Sequence, residues 1–150
     1  MSFNECKEMM NKYNLQNTYQ NNFLNFVFSK IARNTKNRFV DKTDNSVEIL
    51  LSNHPCIKVI PIFKKMDKNN LFLDKEIKEA ISIISDGEFT FVYFVYPKYD
   101  NFDKHIEVKI PQLDEACSDY MVKIIPYSLN DLKNKIKRSN RGRKTYSRDK

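Results

Sequence analysis

The chain has 150 residues, of which 41% are hydrophobic and 30% charged, and only two are glycine; its formal net charge is +7. That length suits one domain with a real core, and two glycines cannot build the Gly-rich phosphate cradles of P-loop or dinucleotide-binding proteins, so both classes are excluded. Residues 130–150 hold nine Lys/Arg against Asp131 and Asp149, a balance equal to the whole net charge, which leaves residues 1–129 neutral.

In chain order, residues 4–13 are compatible with a short helix. The first fourteen residues carry no apolar stretch of the secretory type. TYQNNFLNFVFSKIARN then places Tyr19, Phe23, Phe26, Val27 and Ile31 at helical spacing and predicts a helix over 17–33, with Asn17 or Thr18 as its cap. Residues 34–46 are polar and read as a loop.

VEILL (47–51) and CIKVIPIF (56–63) flank a four-residue SNHP turn and predict a hairpin. Pro61 cannot donate to a ladder, so the second run reads as an edge strand or a bulged one. LDKEIKEAISIIS (73–85) lines up Leu73, Ile77, Ala80, Ile81 and Ile84 on one helical face, and Asp86-Gly87 ends it.

EFTFVYFVYP (88–97) is apolar or aromatic on both faces, the pattern of a central strand. HIEVKIP (105–111) alternates cleanly. LDEACS reads as a short helix and YMVKIIPY (120–127) as a last strand. Ser128-Leu129-Asn130-Asp131 starts a helix to about residue 138 in the manner of a capping box. The expected fold is α+β. One domain over 1–138 has a mixed, mostly antiparallel sheet of about five strands against two or three helices, and a disordered basic tail occupies 139–150.

No apolar run approaches the roughly 20 residues needed to span a bilayer, so no membrane partner is expected. Cys6, Cys56 and Cys117 are odd in number and widely spaced. They read as reduced thiols of a cytoplasmic or nuclear protein that is not secreted. The heavy use of Asn, Lys and Ile fits an AT-rich genome such as that of a large DNA virus, and so a viral protein.

Four sets of residues carry candidate chemistry. In the tail, Lys133, Lys137, Arg138, Arg141, Arg143, Lys144 and Arg148 can neutralise phosphates and release counterions, a source of affinity that needs no base sequence. Arg141-Gly142-Arg143 resembles the centre of an AT-hook, which implies arginines in a narrow minor groove; Lys144 stands where that motif has Pro. Such runs also serve as nuclear-import addresses or solubilising tails. A phosphate on Thr145, Tyr146 or Ser147 would cut the local positive charge.

On a strand, Glu107-Val108-Lys109 resembles the Glu-x-Lys of metal-dependent nucleases of the PD-(D/E)XK class. Alternate residues share a sheet face, so carboxylate and ammonium reach one phosphate together. The resemblance covers about residues 74–126. It implies Mg²⁺ held by carboxylates and a Lys beside the attacking water. Asp103, Asp100 or Asp86 would be the upstream Asp, and Glu76 or Glu79 a helix carboxylate. The pattern's Pro-Asp pair is absent, and plain solvent-face alternation gives the same Glu-x-Lys.

Four N/S ligands, His54, Cys56, His105 and Cys117, match a zinc site in number, but only His54-x-Cys56 is a close pair. Buried thiols are the plainer reading, and no metal is expected. The aromatics Phe89, Phe91, Tyr93, Phe94 and Tyr96 are the sort that stack bases in RNA-recognition modules, and more often form core.

The expected function is therefore a non-enzymatic accessory protein without cofactors. Its neutral body contacts a protein partner or a second copy, and its tail contacts DNA or RNA. The alternatives are a Mg²⁺-dependent nuclease and a protein-interaction module that antagonises a host factor, with the tail as a nuclear address.

Overall fold

The computed structural model describes residues 2–34, 39–50, 56–65, 74–100, 102–114 and 119–130. Helix α1 (Phe3–Tyr13) starts where the Ser2 hydroxyl accepts from the Glu5 amide, which satisfies one orphan donor of the first turn. Helix α2 (Tyr19–Asn34) is capped by Thr18, whose Oγ1 accepts from the Asn21 amide at 3.1 Å. Helix α3 (Asp74–Ser85) stops at Gly87, which takes φ +85 and sends its amide back to the Ile84 carbonyl. A single turn, α4 (Pro111–Asp114), is the fourth helix among the described residues.

The strands are β1 (Phe39–Lys42), β2 (Val47–Leu50), β3 (Cys56–Pro61), β4 (Phe89–Pro97), β5 (Ile106–Val108) and β6 (Met121–Tyr127). They form one mixed sheet in the order β1-β2-β3-β4-β6-β5. The pairs β1–β2, β2–β3 and β5–β6 are antiparallel, whereas β3–β4 and β4–β6 are parallel. The fold is α+β in a single domain, as the sequence pattern implies, with one strand more than expected.

Side chains alternate across this sheet and build two cores. Phe23, Phe26 and Val27 of α2 and Cys6 and Met10 of α1 close over Val47, Ile49, Val59 and Val95. On the opposite face, Ala80 and Ile84 of α3 and Leu113 of α4 close over Ile60, Val92, Phe94, Tyr96, Val122 and Ile124. β4 is therefore covered on both faces, which is why its run is apolar at nearly every position.

Three details differ from the sequence reading. Residues 39–42 form β1, although FVDK has only two apolar residues and three of its four positions are exposed. Pro61 does not mark an edge: β3 lies between β2 and β4, and Pro61 is its last residue. There the missing N–H is taken over one residue later, where Ile62 donates to the Val95 carbonyl at 2.8 Å. The irregularity in this strand sits at its start, as a register shift between Cys56 and Ile57.

The hairpin's strands pair as expected, while its turn lies outside the described residues, as do the last four residues of LDEACS, the helix expected beyond Asn130 and the tail expected to be disordered. Among the described residues, no helix is long and apolar enough to cross a membrane.

Candidate functional site

Glu107 and Lys109 sit at the sheet's outer edge. Glu107 is the middle residue of three-residue β5, in register with Lys123 of β6, and Lys109 follows the strand's last residue. The two side chains bind each other, Lys109 Nζ donating to Glu107 Oε1 at 3.0 Å with 78% and 50% of their surfaces exposed. This bond is the main reason the Lys109 ammonium is raised from its ordinary value. Beside it, Tyr120 donates to Asp114 Oδ1 at 2.6 Å and accepts from the Ile110 amide, a pair of bonds that ties α4 to the start of β6. The bond to Asp114 raises the Tyr120 hydroxyl. Asp103 lies elsewhere, in the loop beyond the ends of β4 and β6.

Of the four N/S residues, Cys56 opens β3 and His105 precedes β5. Two strands separate those positions, so they stand three spacings of about 4.8 Å apart and do not share a site. His54 and Cys117 lie outside the described residues, and so do all seven candidate cations of the tail. Among the described residues, no three His, Cys, Asp or Glu side chains gather to hold a metal ion. The aromatics of β4 go mostly into the core: Phe89, Phe94 and Tyr96 are buried and Phe91 and Tyr93 half-buried.

Sheet register creates a polar row that sequence spacing does not show. Asp41 of β1 is opposite Glu48 of β2, and Glu48 is opposite Lys58 of β3. Directly opposed residues share a face, so two carboxylates and an ammonium lie in line on the α3 side of the sheet. Glu48 and Lys58 form an ion pair at 3.6 Å with about a fifth of each side chain exposed, and Lys58 also lies 5.5 Å from the Phe89 ring centre. Phe39, at 64% exposure the most exposed aromatic of this edge, is on the same face one pair further along. The signal that could have found this row was the hairpin itself, which fixes Glu48 against Lys58 once its register is known.

A second feature is a surface cavity of about 280 Å³ beyond the carboxyl ends of the parallel pair β4 and β6. Lys98, Tyr99, Asp100 and Asp103 follow β4 into it, and Ser128 and Asn130 follow β6. The Lys98 amide donates to the Tyr127 carbonyl, and Ser128 Oγ accepts from the Asn130 amide, which fixes both walls. In open sheets, crevices at the carboxyl ends of parallel strands are the usual places for ligands. Below this wall the buried Cys6 thiol donates to the Lys98 carbonyl and is pushed up to about 11, chiefly by burial. A thiol so raised is protonated at neutral pH and is a poor nucleophile. Buried Tyr96 is raised as well, by burial first and then by the Glu76 carboxylate.

Compared with known proteins, the chain matches no protein-family model, no curated protein and no solved structure.

Proposed function

We propose that this chain is a non-enzymatic accessory protein whose neutral α+β body makes protein contacts and whose cationic segment contacts nucleic acid through its phosphates. The observation that carries this reading is the partition of charge: the net +7 resides entirely in residues 130–150. Phosphate neutralisation needs clustered cations and no particular fold. Protein contact is favoured by the exposed Phe39 on β1, the outermost strand at this end of the sheet among the described residues, since an edge strand is a template for pairing with another chain.

Fluorescence anisotropy of labelled DNA and RNA over a salt series tests it, with the full chain and a chain in which Arg141, Arg143 and Lys144 are changed to Gln. Seven engaged cations give a slope of log affinity against log salt of about −6 on duplex DNA, and each one lost removes about 0.9. Binding that is absent, or unchanged by the three substitutions, overturns this reading and leaves the segment as a nuclear address.

A second reading rests on a different observation, the cross-strand row Asp41–Glu48–Lys58. It moves the metal-dependent nuclease alternative from Glu107 and Lys109 to this row. Two carboxylates on adjacent strands are a fitting donor set for Mg²⁺, which binds proteins through one or two carboxylates and keeps several waters. Bound there, the ion would activate water and stabilise the charge of a phosphodiester undergoing attack. Lys58 would hold the phosphate beside it. Mg²⁺-dependent nicking of plasmid DNA that is lost in both Glu48→Gln and Lys58→Ala, and kept in Glu107→Ala, supports this reading. No nicking by the unaltered chain removes it.

A further inference from the structure

Two aromatics of β4, Phe91 and Tyr93, are half-buried on the α1–α2 side of the sheet. Register places Ile57 and Met121 in line with Phe91, and Val59, Lys123 and Glu107 in line with Tyr93. Directly opposed residues share a face, so these side chains form one surface. Helix α2 meets β6 at its last residue, where Phe26 packs edge-on to Tyr127 and the Lys30 ammonium lies over the same ring. Nearer the start of β6 the surface is half open: Ile57, Phe91, Tyr93, Met121 and Lys123 are half-buried and Glu107 is exposed.

We infer that this half-open surface is a stacking platform for single-stranded nucleic acid, with Phe91 and Tyr93 each taking a base and Lys123 a phosphate. The inference deepens the nucleic-acid reading by giving the body a share of the contact, and it rests on that reading for the class of ligand. Geometry supplies the first argument. The two rings are neighbours on one strand, with centres 6.5 Å apart and planes tilted by 34°. Residues two apart on a strand recur about every 6.7 Å. An unstacked nucleotide chain can follow that spacing base by base, whereas the bases of a duplex are already stacked on one another. The Tyr93 hydroxyl donates to Met121 Sδ at 3.8 Å, which holds this ring against the neighbouring strand.

Charge supplies the second argument and decides the kind of partner. Lys123 stands beside Tyr93 on the next strand, within reach of the phosphate of a base stacked there. Glu107, next in the row, has its own cation in Lys109 at 3.0 Å. Among the described residues Lys123 forms no ion pair. Protein interfaces are depleted in Lys at their centres. A lysine in the middle of this row, in register with a ring, suits a partner that carries both flat bases and phosphates.

The test is fluorescence anisotropy of labelled oligouridylate, oligothymidylate and a duplex, each about 12 nucleotides long. It compares the full chain with Phe91→Leu/Tyr93→Leu, which keeps apolar side chains and removes the stacking planes, and with Lys123→Gln. Affinity for single strands should fall about tenfold for each ring lost, with duplex affinity unchanged. Lys123→Gln should reduce the salt slope for single strands by about 0.7. The two single strands, compared on the unaltered chain, tell an RNA platform from a DNA one.

Single strands bound as tightly by the double leucine variant as by the unaltered chain overturn the inference and leave the phosphate contacts of the cationic segment standing. A loss in the leucine variant, with no effect of changing Arg141, Arg143 and Lys144 to Gln, keeps the platform and removes the reading of that segment. No binding of any of the three probes by the unaltered chain overturns both. The chain has no tryptophan, so Phe91→Trp keeps a stacking plane and adds a single reporter. Should the leucine variant lose its circular-dichroism signature, this reporter decides. Quenching by single strands is expected, and an emission that neither of them changes overturns the inference, the face then being covered by a second copy or by another part of the chain.

Discussion

The two faces of the sheet are covered to different extents. Under α1 and α2 the apolar rows run across it, from Val40, Val47 and Ile49 through Val59 and Val95 to Ile125 and Tyr127. Under α3 and α4 the apolar rows begin only at β3, with Ile60, and continue through Phe94 and Ile124 to Val108. On this second face β1, β2 and the first half of β3 carry Asp41, Glu48 and Lys58 instead, with Phe39 and Leu50 beside them. A sheet covered over most of one face and part of the other has its stability in the covered parts and, among the described residues, a chemically distinctive surface where no helix packs. The same strands do both because successive side chains point to opposite sides.

The largest test of this contrast removes one large side chain from each core. Phe23, on α2, is fully buried, and Phe94, on β4, is almost fully buried under α3. Phe23→Ala and Phe94→Ala are each expected to lower the unfolding free energy by about 3–5 kcal/mol, since a cavity is left as well as the transfer energy lost. Urea unfolding followed by far-ultraviolet circular dichroism measures both. Because β4 contributes to both cores, both variants should retain a single transition. Two separate transitions in either variant would show that the faces melt apart and would break the picture of one cooperative sheet.

A medium effect isolates the α1–α2 face by pH. Cys6 is wholly buried there, and its thiol is raised from 9.0 to about 11 by burial. The folded state therefore holds the thiol proton more tightly than the unfolded state does. Its contribution is fully present below pH 9 and is lost as pH rises from 9 to 11, by at most about 2–3 kcal/mol. Buried Tyr96 on the opposite face is shifted in the same direction, so Cys6→Ala should flatten the alkaline loss without abolishing it. Denaturant midpoints at pH 7, 9 and 10.5 for the two proteins give the answer; parallel pH curves would mean that Cys6 ionises without regard to folding.

Much of this architecture is legible from the amino-acid pattern where one periodicity dominates. The apolar spacing of α2 and α3 and the unbroken run of β4 are strong signals because burial on a broad face demands them. The fold class follows from their order. β1 escapes because an exposed edge strand needs no apolar alternation: Phe39, Asp41 and Lys42 all face solvent. The central place of β3 escapes because Pro61 argues for an edge, and only the structure shows that Ile62 takes over the ladder bond. The Asp41–Glu48–Lys58 row escapes for a related reason. It joins three strands, and a local motif such as Glu107-Val108-Lys109 is the only kind that spacing within one strand can display.

The smallest expected effects separate those two sets of charges. Glu48 and Lys58 are mostly buried and pair across two interior strands, so their ion pair is partly shielded from solvent. A double-mutant cycle with Glu48→Gln and Lys58→Met should yield a coupling of about 0.5–1 kcal/mol, modest because a fifth of each side chain still meets water. The Glu107–Lys109 bond is shorter, at 3.0 Å, yet it lies at the outer edge with most of the Lys109 side chain in solvent. Its cycle should give no coupling above measurement error, because water competes for both groups and salt screens them. The closer pair is thus the weaker one: burial and not distance sets the value of a charge pair on this sheet. A coupling at Glu107–Lys109 equal to that at Glu48–Lys58 would mean that the β5 edge is covered in solution, which would place a partner beside Glu107 and Lys109.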